Sequence, residues 1–124
     1  MKIHFMGYDV FTKGKDKNAP RWSQSYDLTS QLIEEPEHLR PLFEAPVEIV
    51  NHQEIRKFES RDARLDKASN GLEIFLRDYV PTNNFEEIRV SSPYPKELIK
   101  GAAYSLKNVI DYARKHKLTL FIEG

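Results

Sequence analysis

A chain of 124 residues fits one compact domain, and a 40% hydrophobic content with seven Phe, six Tyr and one Trp excludes a disordered tail. Nineteen Lys and Arg cancel nineteen Asp and Glu, so bulk charge favours neither a nucleic acid nor a membrane surface as partner. With no cysteine, disulfides, thiolate metal sites and cysteine nucleophiles are all excluded, which suits a reducing cytoplasm. No apolar run approaches the roughly 20 residues of a membrane span, and the first residues are too short and polar for a signal-peptide core. The expected setting is the cytoplasm, and the protein is expected to be soluble.

In chain order, residues 2–11 carry Ile3, Phe5 and Phe11 on one parity and Met6, Tyr8 and Val10 on the other. That reads as a strand covered on both faces. Residues 12–22 break every period with Gly, Asn, Pro and charges and read as a long loop. Pro36, Pro41 and Pro46 then limit residues 23–46 to short helices, over 28–35 and 36–43. Residues 47–50 form a short strand.

Residues 51–71 offer a choice. Asn51 and Glu54 have capping-box spacing, Ile55, Phe58, Leu65 and Ala68 share a helical face, and Asn70-Gly71 can close the helix. The alternative is a hairpin turning at Asn70-Gly71, but residues 61–69 lack the required alternation. A helix is favoured. Residues 72–80 place Leu72, Ile74, Leu76 and Val80 on one face, the pattern of a strand, with residues 85–91 returning antiparallel to it.

Pro95 opens a long helix to about residue 116, in which Leu98, Ile99, Ala102, Leu106, Val109, Ile110 and Ala113 recur at three- and four-residue steps. Gly101, Ala102 and Ala103 permit it a close approach to a sheet. Residues 118–123 close the chain as a strand. The fold class is therefore α+β: a mixed or antiparallel sheet with helices packed on one side, and a long C-terminal helix followed by a terminal strand. The last thirty residues, a long helix delivering a terminal strand, loosely resemble the end of the barstar-type barnase inhibitors. The resemblance covers about a quarter of the chain, which has no counterpart of their inhibitory segment, so it assigns no family.

Motifs for chemistry are sparse. His4, His38, His52 and His116 lack the spacing of a metal site, and His52 near Glu48 and Glu54 reads as a solvated side chain, so no metal is expected. The glycines at 7, 14, 71, 101 and 124 never cluster into a phosphate cradle, and no cofactor is expected. Ser91 and Ser92 before Pro93 read as turn formers rather than nucleophiles. His52, Arg77, Asp78 and Ser91, with Arg56 nearby at most, are the residues a dispersed hydrolase site would use. An enzyme is the less favoured class.

Charge is more informative when taken by segment. Residues 27–54 hold seven acids, Asp27, Glu34, Glu35, Glu37, Glu44, Glu48 and Glu54, against Arg40, for a net of −6. Residues 13–21 sum to +3 and residues 96–117 to +4. The acids alternate with apolar residues, so the leading expectation is a non-catalytic protein-binding module. Its most concrete form is a toxin-immunity or inhibitor protein of bacterial or phage type, binding a toxin or enzyme through Glu34, Glu35, Glu37, Leu39, Phe43 and Glu44. The alternative is a nucleic-acid-binding protein using Lys13, Lys15, Lys17, Arg21 and Trp22, with Lys96, Lys100 and Lys107 of the long helix.

Overall fold

The computed structural model describes residues 7–14, 16–81 and 95–124, and the side chain of Glu37 is not described. The expected segments over residues 2–6 and 85–91, the hairpin return among them, lie outside these residues. Five antiparallel strands form one sheet in the order β2-β1-β5-β4-β3: β1 Gly7–Thr12, β2 Trp22–Ser25, β3 Glu48–Val50, β4 Gln53–Phe58 and β5 Leu120–Glu123. The helices are α1 Tyr26–Glu34, α2 Arg40–Phe43 behind a 3₁₀ turn Glu37–Leu39, α3 Ala63–Phe75 and α4 Lys96–Lys115. The α+β class, the helical coverage and the helix-to-strand ending follow the sequence reading.

Strand parity divides the sheet. Register pairs Val10 with both Trp22 and Ile122, and Phe58 with Leu120; all five are buried in the core with Leu28, Leu32, Leu65, Leu72, Leu106 and Ile110 of the helices. The opposite parity, Asp9, Phe11, Lys57, Phe121 and Glu123, faces away from the helices. Gly101, Ala102 and Ala103 of α4 are all buried, which lets the helix lie close to β1 and β2. The Trp22 indole crosses to it and donates Nε1–H to the Ala102 carbonyl at 2.9 Å.

Three expectations need correction. Residues 12–22 end in strand rather than loop: Trp22 begins β2, which the sequence hides because Trp22 is its one apolar residue. Residues 51–71 are not one helix. Asn51 and His52 have φ of 52° and 67° and form the two-residue turn of the β3–β4 hairpin, and Asn tolerates the left-handed region that such turns require. Asp62 is the true N-cap of α3, and Asn70-Gly71 lies inside that helix with no left-handed glycine.

The third concerns residues 72–80, which are not a strand. Leu72 to Phe75 complete α3, because Leu65, Ala68, Ser69 and Leu72 recur at helical steps and pack against α4 and the 3₁₀ turn. Ile74, assigned to the buried face of that strand, is 65% exposed.

Gly71 allows a close crossing rather than a cap. A Cβ there would meet Cδ2 of His38 at 2.8 Å and its Cβ at 3.0 Å, so the His38 side chain, or the 3₁₀ turn that carries it, would have to move. Gly71→Ala gains up to about 1 kcal/mol of helix propensity. It is nevertheless expected to lower stability by about 1 kcal/mol or more, since overpacking typically costs about 1–3 kcal/mol. A urea midpoint above wild type would refute this crossing.

Asp62 accepts a hydrogen bond from the Arg64 backbone N–H at 2.9 Å and a two-pronged contact from the Arg64 guanidinium at 3.0 and 2.7 Å. The guanidinium also lies 4.6 Å from the centre of the Phe58 ring. The Arg64 side chain, with help from its backbone N–H, holds the Asp62 carboxyl below the ordinary aspartate range. Because the folded state binds this proton more weakly than the unfolded chain, the contribution is complete above about pH 4 and is lost as pH falls through the lowered value. Asp62→Ala is expected to cost about 1–2 kcal/mol at pH 7 as a lost cap. Urea titrations should show the gap from wild type closing below pH 4; a gap constant down to pH 2 would contradict the cap.

Candidate functional sites

The acidic tract divides into an inside and an outside. Leu39 and Phe43 are 0% and 3% exposed, and Phe43 stacks edge-on against Tyr8 at 5.1 Å and lies 6.0 Å from Trp22. Both residues are core, which corrects their assignment to a contact surface. The alternation of apolar and acidic residues that singled them out reflects short helices with one face on the sheet and one in solvent.

On the outside, α1 places Leu28, Thr29 and Leu32 against the core and turns Tyr26, Asp27, Ser30 and Glu34 outward. Ser25 caps it, accepting from the Leu28 N–H at 3.2 Å. Asp27 in the first turn suits the helix dipole. Glu34 and the C-cap Glu35 do not: they are exposed carboxylates at the negative end, where the last turn holds no basic residue and, among the described residues, no ion pair engages either one. Glu44 is exposed and reaches Arg40 at 3.7 Å, an i,i+4 pair in water that contributes little.

Further along the same tract, β3 is an edge strand whose three residues are all exposed, with Ile49 at 74%. Glu54 sits opposite Ile49 across the hairpin, and Glu48 pairs with Lys57 at 3.3 Å. Exposed aliphatic residues beside carboxylates therefore occur in this tract, at Ile49 and Val50 instead of Leu39 and Phe43. Their sequence signal was available: Val47 to Val50 is too short and too near a turn to be covered on both sides.

The basic residues have separate fates. Trp22 is buried and cannot stack on a base, which corrects its part in the nucleic-acid reading. Lys15 lies outside the described residues. Lys13 and Lys17 are exposed, and Lys13 Nζ stands 5.0 Å from the centre of the Phe121 ring. Arg21 is clamped by Asp9, its Nε donating at 3.0 Å, and its guanidinium lies 4.8 Å from the Phe11 ring centre.

The cations of α4 are mostly engaged. Lys107 bonds Asp111, Arg114 bonds Asp66, and Lys100 lies over Phe75. Asp16 anchors the 13–21 loop to α4 by accepting from the Tyr112 hydroxyl at 2.8 Å; this bond and the Asn18 N–H, the larger influence, lower the Asp16 pKa.

Among the described residues the dispersed catalytic candidates occupy separate places. His52 is in the β3–β4 turn, Arg77 and Asp78 follow α3, Arg56 donates to the Ala45 carbonyl at 2.8 Å, and Ser91 and Ser92 lie outside the described residues. Arg77 lines an open groove of about 510 Å³ with Tyr79, Tyr104 and Lys107, and neither Asp78 nor His52 is part of its wall. Among the described residues no three His, Asp or Glu side chains are grouped to hold a metal ion, and no helix is long and apolar enough to cross a membrane. Set against known proteins, the chain matches no family, no curated protein and no solved structure.

Proposed function

We propose that this chain is a non-catalytic protein-binding module of the toxin-immunity or inhibitor type, whose partner presents a basic surface to the exposed acids of residues 27–54. The observation that carries this reading is the placement of Glu34 and Glu35. Carboxylates at a helix C-terminus oppose the dipole by about 0.3–1 kcal/mol each, and among the described residues nothing offsets them. Stability does not account for their presence, whereas docking of a cationic partner would turn the unfavourable position into an attractive one.

Tyr26, 37% exposed on the same helix as Glu34, supplies an aromatic anchor of the kind an interface needs. The partner surface is therefore drawn at Tyr26, Glu34, Glu35 and Glu44, with Leu39 and Phe43 serving as the packing beneath it. The test is affinity capture with the immobilised protein and its Glu34→Lys/Glu35→Lys variant. Stoichiometric retention of one basic protein by wild type, and its loss from the folded variant, supports the reading. Equal retention by both, or by neither, overturns it.

A further inference from the structure

The sheet face turned away from the helices carries a second arrangement, independent of the acidic tract. Register places Phe11 of β1 directly opposite Phe121 of β5, and these strands are the second and third of the five, well inside the sheet. The two rings stack with centroids 5.6 Å apart and planes 17° from parallel. A helix-free sheet face normally alternates polar residues outward, and two adjacent phenylalanines on the inner strands depart from that pattern. Phe121 is 8% exposed, and Phe11 and the Lys13 side chain lie against it.

Cations surround the pair. Lys13 and Arg21 each lie over one ring, and Lys57 is the cross-strand neighbour of Phe121. Lys17 is exposed on the adjoining loop. Most carboxylates of this face are already engaged: Asp9 by Arg21 and the Ser23 hydroxyl, Glu48 by Lys57 and Glu59 by the Thr119 hydroxyl. Among the described residues Lys13 and Lys17 have no acid partner, and Arg21 and Lys57 keep more than 45% of their side chains in water.

From this juxtaposition we propose that this sheet face binds single-stranded nucleic acid, with a base stacking on the half-buried Phe11 beside the Phe121 ring and phosphates meeting Lys13, Arg21 and Lys57. A flat sheet can receive splayed bases on aromatic rings, whereas a duplex keeps its bases stacked out of reach. Lys13 holds its ring through one exposed cation–π contact, so it can swing from the ring to a phosphate with little loss. Lys57 flanks the Phe121 ring from the neighbouring strand. The π-faces distinguish this occupant from an acidic peptide, which would use the cations and leave the rings idle.

The experiment is fluorescence anisotropy of fluorescein-labelled dT15 and U15 titrated with the full chain, using a 15-base-pair DNA duplex as competitor. Binding is expected in the micromolar range in 20 mM NaCl, with the duplex competing poorly. Three phosphate contacts, at a slope of about −0.7 each for single strands, imply roughly a hundredfold loss between 20 and 200 mM NaCl. Phe11→Leu keeps the apolar bulk, removes the ring and should weaken binding about tenfold, its fold verified by circular dichroism and melting temperature. Lys13→Gln should weaken binding and flatten the salt slope. Absence of binding by wild type at 20 mM NaCl, or binding that a folded Phe11→Leu leaves unchanged, would overturn the proposal.

Discussion

Trp22→Ala is expected to remove about 4 kcal/mol of stability, within the range of about 3–5 kcal/mol for truncating a buried large aromatic residue. The indole is 2% exposed, lies between β2 and the small-residue stretch of α4, and gives its one polar group to the Ala102 carbonyl. Alanine would leave a cavity between the sheet and α4 and deprive the Ala102 carbonyl of the indole donor. Against a total of about 5–15 kcal/mol for a domain, such a loss brings the chain close to unfolding at room temperature.

Trp22→Phe separates the contributions. It keeps most of the apolar volume and deletes the N–H donor, so about 1–2 kcal/mol is expected, the net worth of a buried hydrogen bond plus a modest packing defect. Urea denaturation followed by far-UV circular dichroism gives both values, since neither variant retains a tryptophan to report by fluorescence. A Trp22→Ala variant within 1 kcal/mol of wild type would mean that the ring is not core and would restore it as a surface residue available for stacking.

The same residue shows where sequence reading stops. Trp22 stands beside Arg21 at the end of a charged, glycine- and proline-broken stretch, and adjacency in sequence suggested adjacency in function. Pairing separates them: Trp22 points to the helices opposite Val10, while Arg21 turns to the other face over Phe11. In contrast, α4 and β5 were legible because twenty residues of strong helical period leave no competing pattern and Leu120 to Ile122 form a short apolar run that fits a covered strand.

Residues 51–80 were not legible, for two physical reasons. The β3–β4 turn uses Asn51-His52 rather than Asn-Gly, so its hairpin signal was weak, and β4 buries only Phe58. The apolar run Leu72 to Leu76 fits a strand or a helix end equally well, and the packing of α3 on α4 decides for the helix. For the candidate sites, segment charge located the acidic tract, but only burial could separate Leu39 and Phe43 from Ile49 and Val50. The pairing of Phe11 with Phe121 spans 110 residues and depends on strand order, which no local pattern encodes.

Glu34→Lys/Glu35→Lys is expected to raise stability while abolishing capture of the partner, and this opposition distinguishes a functional acidic surface from an ordinary solvated face. Each reversal turns an unfavourable interaction with the C-terminal end of α1 into a favourable one, giving about 1–2 kcal/mol for the pair at low salt. The melting temperature should rise by roughly 3–8 °C and the gain should shrink in 0.5 M NaCl, where the screening length falls to only a few ångströms. Asp27→Lys in the first turn is the internal control, because the dipole favours its carboxylate and reversal there should lower the melting temperature. Toward a basic partner, the double reversal replaces two attractions by two repulsions, and a loss on the order of tenfold or more is expected. Were the double variant less stable than wild type, Glu34 and Glu35 would have a structural role that explains their presence. If it is more stable and still retains the partner, the acids are a solvated face and the contact surface must be sought elsewhere, first at Ile49 and Val50.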